Sequence, residues 1–221
     1  MNGSVLNPDD AGYDGQRHYT PRFLRIYDPL VLGFFTRAVW RCPAERVTSL
    51  YRSHTGRRHL DVGPGTGYFL ERAPATDRLV LLDPNRDVLA FAAERLADRS
   101  PTTLGADVRV PIPTAERFDS VALSFVLHCL PGPIEAKAAA IENLAAVLEP
   151  NGVLFGATVL GEDRLHNAFS KLMLRTNNRH GIFDNLGDTE AGMRSILTSS
   201  FDRVDMEVVG SVALFAARQE R

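Results

Sequence analysis

Apolar residues in this chain follow two rhythms, one helical and one of short continuous runs. Near the start, Leu24, Tyr27, Val31, Phe34 and Phe35 recur at helical spacing, and Pro29 is expected to split them into two short helices. Pro43 opens a further helix to about Tyr51, since proline is tolerated in a first turn where its missing N–H is not needed. Short apolar runs at 58–62, 79–83, 102–105, 118–125 and 152–159 then read as strands, separated by helical patterns at 66–72, 86–98 and 133–148. Strands and helices in that alternation predict a parallel sheet wound by right-handed crossovers.

The end of the chain breaks the alternation. Residues 161–188 are polar and helix-prone, and 189–200 reads as another helix. Two strands, 201–209 and 211–217, follow with Gly210 between them, which suits an antiparallel hairpin at a sheet edge. The expected fold is α/β: a mostly parallel seven-stranded sheet with helices on both faces and a C-terminal antiparallel hairpin. Residues 1–20, rich in Asn, Gly, Pro and Asp, read as a disordered tail. Residues 21–56 read as a helical cap and first helix, and 57–221 as the core, with a substrate-pocket insertion at 161–188.

Composition narrows the function classes. The chain has 221 residues, 44% hydrophobic and 24% charged, with a formal net charge of -2. That balance speaks against a reader of phosphate backbones, which needs a basic excess or stripe. No apolar stretch reaches the roughly 18 residues of a membrane span, and the N-terminus lacks a basic-then-apolar leader, so a cytoplasmic location is expected. Cys42 and Cys129 have no metal-ligand spacing, and Cys129, within an apolar run, reads as a buried small hydrophobe.

The sharpest local signal is His59-Leu60-Asp61-Val62-Gly63-Pro64-Gly65-Thr66-Gly67-Tyr68, a strand running through G-x-G-x-G into a helix. Glycines let a backbone turn tightly and approach a ligand that a Cβ would exclude. Tyr68 stands where a dinucleotide fingerprint would continue toward a third small residue. Twenty residues after Gly63 the next strand ends at Asp83, suited to accept both ribose hydroxyls, and the following strand leads to Asp107. Three acids on successive strand ends suit a cationic ligand rich in donors, and suit a pyrophosphate badly.

With those motifs in place, the chain resembles the class I (Rossmann-like) S-adenosylmethionine-dependent methyltransferases over roughly residues 43–160, with a closing hairpin like theirs. The resemblance implies S-adenosylmethionine as cofactor and S-adenosylhomocysteine as product. It implies that Gly63, Gly65 and Gly67 pass under the methionine part and that Asp61 helps to hold the amino group. Asp83 would take the ribose with Pro84 and Asn85 nearby, and Asp107 the adenine amino group with Val108 alongside. Ser124 and Phe125 would wall the site beside the methyl group. Ser124 and Val159-Leu160-Gly161 stand where the catechol-type enzymes carry metal-binding acids, so no metal is expected.

Methyl transfer from a sulfonium asks mainly for positioning and desolvation. The expected activity is transfer to an oxygen or nitrogen of a small molecule, a secondary metabolite being one such acceptor. A hydroxyl acceptor gains from a base, for which His128, after the fourth strand, and His180, in the insertion, are the candidates. Tyr19, Tyr27, His166 and Phe183 are candidate substrate contacts. Three alternatives stay open at this level: a methyltransferase of protein side chains or termini, an NAD(P)-dependent reductase on a related sheet, and a non-catalytic cofactor-binding partner. Oligomeric state is not legible, and neither nucleic acid nor membrane is expected as a partner.

Overall fold

The computed structural model describes Leu24 and residues 27–220. One seven-stranded sheet forms the middle layer, with strands β1 (Arg58–Val62), β2 (Arg78–Leu82), β3 (Thr102–Leu104), β4 (Phe118–Ser124), β5 (Leu148–Val159), β6 (Arg203–Val209) and β7 (Val212–Arg218). Their order is β3-β2-β1-β4-β5-β7-β6. Pairings from β3 to β5 are parallel, and β7 runs antiparallel to both β5 and β6. The order reverses direction between β1 and β4, which opens a crevice at the carboxyl ends of the strands.

Among the described residues the longer helices are the π-helical α1 (Asp28–Val39), then α2 (Ala44–His54), α3 (Tyr68–Glu71), α4 (Arg86–Arg95), α5 (Ala138–Ala145), α6 (Ala168–Arg179) and α7 (Glu190–Thr198). Their starts follow capping chemistry. Asn85 accepts the N–H groups of Asp87 and Val88, Asn167 that of Ser170, and Thr189 that of Gly192. Pro29 sits in the first turn of α1, where its missing N–H is not needed, and the helix expected ahead of it falls mostly outside the described residues. One expectation about elements needs correcting. The long helix expected at 133–148 is a 3-10 turn (Ile134–Lys137) followed by α5, and Leu148 already pairs with Phe118 in the sheet. Asn151, with φ 63, bends the chain back before Val153 rejoins β4.

Strand alternation divides the core. Leu60, Val62, Val80, Leu82, Val121 and Leu123 pack on one face with α5 and α7. Leu79, Leu81, Ala122, Phe155 and Leu214 pack on the other, against α2 and α4. Each fully buried Leu or Phe removes enough apolar surface to contribute about 1.5–3 kcal/mol. On β1 the second face carries His59 and Asp61, so the pleat that buries Leu60 sends these polar groups toward α2. The edge strand β6 turns Arg203, Asp205 and Glu207 to solvent, which discourages further pairing.

Candidate functional site

A cleft opens where β1, β2 and β3 end. Its floor is the loop after β1, in which Gly63, Gly65 and Gly67 all take positive φ (65°, 55° and 76°). At Gly63 an added Cβ would lie 2.4 Å from Val126 Cγ2, so both backbone angle and space demand glycine there. At Gly65 a Cβ would meet nothing, and the open volume above it is the cleft itself.

Around that floor the strand ends contribute Asp83, Pro84 and Asn85 after β2, Asp107 and Val108 after β3, and Ser124 and Phe125 after β4. Of the residues expected to bind cofactor, Asp61 and Gly67 do not reach the wall. Asp61 is 1% exposed, a layer beneath the loop, and Gly67 caps α3. Phe125 has φ 60, a strained conformation for a bulky residue, held by its N–H donating to Ala157 O at 2.7 Å. Strain of this kind aims a side chain into the cleft at the topological switch point.

The acids differ in electrostatics. Burial pushes Asp83 up to about 7, although it accepts the Asn85 N–H at 2.7 Å. Asp107 is held by Arg109, whose Nε and Nη2 donate to it at 2.9 and 2.7 Å. Asp61 lies 3.6 Å from His59 Nε2, and neither of its oxygens completes a hydrogen bond.

The expected acceptor-side residues do not converge. Tyr27 lines the cleft, while Tyr19 lies outside the described residues. His128 faces away: it is 3% exposed, its Nδ1 accepts the Val159 N–H at 3.3 Å, and its ring meets Phe183 edge-on at 4.3 Å. Burial, with Lys137 adding to it, pulls its pKa down to about 3, so the expectation of a base there is corrected. His180 is exposed at the C-terminal end of α6, outside the cleft, and the same correction applies. His166 is buried with Nε2 donating to Leu160 O at 2.8 Å, and Phe183 is buried between Trp40 and His128. These residues brace the insertion and do not line the cleft.

Other lining residues escaped the sequence reading. Tyr51 comes from α2, Leu32 from α1, Arg109 from beyond β3, and Val126, Cys129 and Leu130 from the turn after β4. Cys129 packs half-buried against the core, as a small hydrophobe would, and also borders the cleft. Tyr51 had a signal: Ala44, Val47, Thr48 and Tyr51 are the buried helical stripe of α2, facing the side of β1 that carries Asp61. Among the described residues no three His, Cys, Asp or Glu gather as a metal cluster, and no helix is long and apolar enough to cross a membrane.

Comparison with known proteins agrees with this geometry. A family model described as a methyltransferase domain matches residues 60–154. Methyltransferase verB of Penicillium polonicum is 41% identical over 221 residues, covering 92% of this chain and 97% of that protein. The demethylluteothin O-methyltransferase of Streptomyces thioluteus is 37% identical over 213 residues, covering 95% and 93%. The fold is similar to that of the N-methyltransferase NodS from Bradyrhizobium japonicum, crystallised with S-adenosyl-L-homocysteine (TM-score 0.68, 20% identity, 96% and 100% covered). Nothing in these matches points to a nicotinamide-dependent reductase. The chain belongs to the class I S-adenosylmethionine-dependent methyltransferases.

Proposed function

We propose that this cleft seats S-adenosylmethionine along the strand ends and methylates an oxygen of a small, largely apolar acceptor without a metal. The observation that supports it is the acid series over a glycine floor: Asp83 and Asp107 border one cleft, and Asp61 lies unpaired beneath it. The residues fit the group. Asp83 would accept the ribose hydroxyls beside Pro84 and Asn85, and Asp107 the adenine amino group beside Val108. Gly63, Gly65 and Gly67 keep the floor free of Cβ atoms where the methionine part would pass, and Asp61 would face its amino group. When bound, the cofactor supplies a methyl carbon already activated by a sulfonium. What remains for the chain is to hold the acceptor in line and exclude water, and alignment of that sort lowers a barrier by several kcal/mol.

The acceptor end favours a flat or apolar molecule. Leu32, Phe125, Val126, Leu130 and Pro131 surround it, and Tyr27 adds a polar tip. Among the described residues no histidine or lysine lines the cleft. A hydroxyl acidic enough to ionise by itself, such as a phenol or an enol, fits such a wall. The O-methyltransferase name of the Streptomyces relative supports an oxygen acceptor. A relative of equal identity, vrtF of Penicillium aethiopicum, is named an N-methyltransferase, so the apolar wall carries the choice of oxygen and of a metabolite over a protein side chain.

Turnover of methyl-labelled S-adenosylmethionine against matched phenols, enols, amines and peptides tests the reading. Oxygen acceptors should be methylated in the order of their acidity, with EDTA making no difference. Preference for amines or peptides, or a strict divalent requirement, would overturn it.

A further inference from the structure

One carboxylate ties the start of α1 to the glycine loop. From Pro29 to Phe35 the helix reads Pro-Leu-Val-Leu-Gly-Phe-Phe, residue types whose side chains cannot hydrogen-bond, so Asp28 is the polar side chain that its first half offers. Thr36 spends its hydroxyl within the helix, on Leu32 O at 2.5 Å. Asp28 reaches out instead. Its Oδ1 accepts from Thr66 Oγ1 at 2.5 Å, and its Oδ2 accepts from Arg95 Nη1 at 2.6 Å. The far end of α1 is fixed by backbone, where the Ser211 N–H donates to Trp40 O at 2.9 Å.

Both partners of Asp28 are themselves held. Thr66 stands between Gly65 and Gly67 in the cleft floor and is 2% exposed. Arg95, at the end of α4, also donates to Glu71 of α3 at 2.8 Å, and that bond keeps the Glu71 carboxyl below its ordinary range. Asp28 thus joins α1 to a frame of glycine loop, α3 and α4. Asp28 and Arg95 keep some exposure, so their ion pair adds little to stability. Its effect is on where α1 sits.

What α1 carries across that joint is the acceptor wall. Tyr27 precedes Asp28 and Leu32 follows one turn later, and both line the cleft. An ångström of misplacement there is worth about a hundred-fold in rate, because methyl transfer depends on alignment. We propose that Asp28 is a positioning residue that carries the seat of the cofactor into the seat of the acceptor. A ligand resting over Gly65 steadies Thr66, Thr66 steadies Asp28, and α1 then holds Tyr27 and Leu32 against the acceptor. This rests on reading the cleft as the S-adenosylmethionine site with the acceptor beside α1. Coupling of this kind is reciprocal, so an acceptor that fills the wall tightens the cofactor by the same factor.

Amide hydrogen exchange read peptide by peptide tests the link without an acceptor. In the wild type, S-adenosylhomocysteine at saturation should slow exchange at least five-fold both in residues 63–69 and in residues 28–39. In Asp28→Ala the loop should keep that protection while α1 loses it. Thr66→Val, of nearly the same shape but without the hydroxyl, should repeat the split, and Thr66→Ser should restore the response of α1. For a phenol turned over by the wild type, Asp28→Ala should raise the acceptor KM about ten-fold; an unchanged KM would overturn the positioning role. Protection of α1 that survives Asp28→Ala and Thr66→Val, or that is absent from a wild type whose loop is protected, would overturn the link and leave the cleft assignment standing. Loss of protection in loop and helix together would do the same, since it would mark general loosening. A wild-type loop that S-adenosylhomocysteine leaves unprotected would instead overturn the cleft assignment, and the link with it.

Discussion

Asp61 and Asp188 are equally buried, each 1% exposed, yet one is completed by the chain and the other is not. Asp188 accepts from Lys137 Nζ at 2.7 Å, and the same ammonium donates to Asp184 O at 2.6 Å. Around this pair the insertion is bolted to the core: Asn185 Nδ2 donates to Val159 O at 2.8 Å, and Gly161 N to Asp188 O at 2.7 Å. Asp61 faces an imidazole beyond hydrogen-bonding distance and the neutral hydroxyl of Tyr51, and among the described residues no lysine or arginine pairs with it. Both carboxylates carry a desolvation cost, and the difference lies in where the compensation comes from. Inside the chain it makes a structural joint; outside the chain it makes a binding site.

Breaking the joint should have the largest effect. Lys137→Met strands Asp188 in an apolar setting and should cost about 3–5 kcal/mol of stability. Denaturant unfolding reads that loss, and calorimetry on the folded fraction should find S-adenosylhomocysteine affinity within two-fold of wild type. Adding Asp188→Leu should recover most of the stability. A loss below about 1 kcal/mol would mean that the joint is not the anchor of the insertion.

The converse variant lies in the glycine floor. Gly65→Val forces a β-branched residue to φ 55°, costing about 1–2 kcal/mol of stability, and fills the cleft from below. Binding should fall more than a hundred-fold although the protein still folds. Retained affinity in a folded variant would show that the cofactor does not pass over that position.

Asp83 joins the two behaviours in one residue. Its pKa is raised to about 7, so the fold disfavours the carboxylate. The penalty is absent below the unfolded value near 4, grows as pH rises, and is complete above about 7. Stability of the free protein should therefore decline across that window and then level. Ribose hydroxyls donate to the carboxylate, so affinity should rise with pH through 7, with proton release on binding below it. Asp83→Asn should flatten both trends, leaving a protein more stable at pH 8 that binds S-adenosylhomocysteine weaker by about 1.5–3 kcal/mol. Unchanged affinity at pH 8 would remove Asp83 from the site.

Much of the fold was legible because strand and helix periods differ and the glycine loop marks where one gives way to the other. The hairpin was legible from two apolar runs parted by Gly210, and the structure adds why glycine is needed there: a Cβ would lie 2.2 Å from Trp40 O. What escaped was long-range. Nothing local in Tyr51 separates a core aromatic from a site residue; its meaning depends on α2 lying across β4 and β5. Nor does the run Ser124–His128 tell which side chain turns into the cleft. Phe125, at positive φ, does so, and His128, three residues on, is carried under β5. The Leu148 stretch read as helix because its apolar spacing fits a helix, and only pairing with Phe118 decides for the sheet.

The smallest expected effect tests the same contrast from the solvent side. His180 is exposed at the end of α6, so His180→Gln should leave stability within about 0.5 kcal/mol and turnover within two-fold. Its bearing is on the pH–rate profile. A histidine base would place an acid limb near 6.5 in kcat itself. His128, held near 3, cannot supply that limb, and His180 lies away from the cleft. The only carboxylate bordering the cleft and raised to about 7 is Asp83 among the described residues, and it titrates in the free protein. The limb should therefore appear in kcat/KM for S-adenosylmethionine and vanish from kcat at saturating cofactor, where the ribose holds Asp83 ionised. His180→Gln should leave both profiles as they were, and Asp83→Asn should erase the limb. A limb in kcat that disappears with His180 would mean that the insertion swings its end into the cleft during turnover, and the boundary between a closed joint and an open site would then move with the reaction.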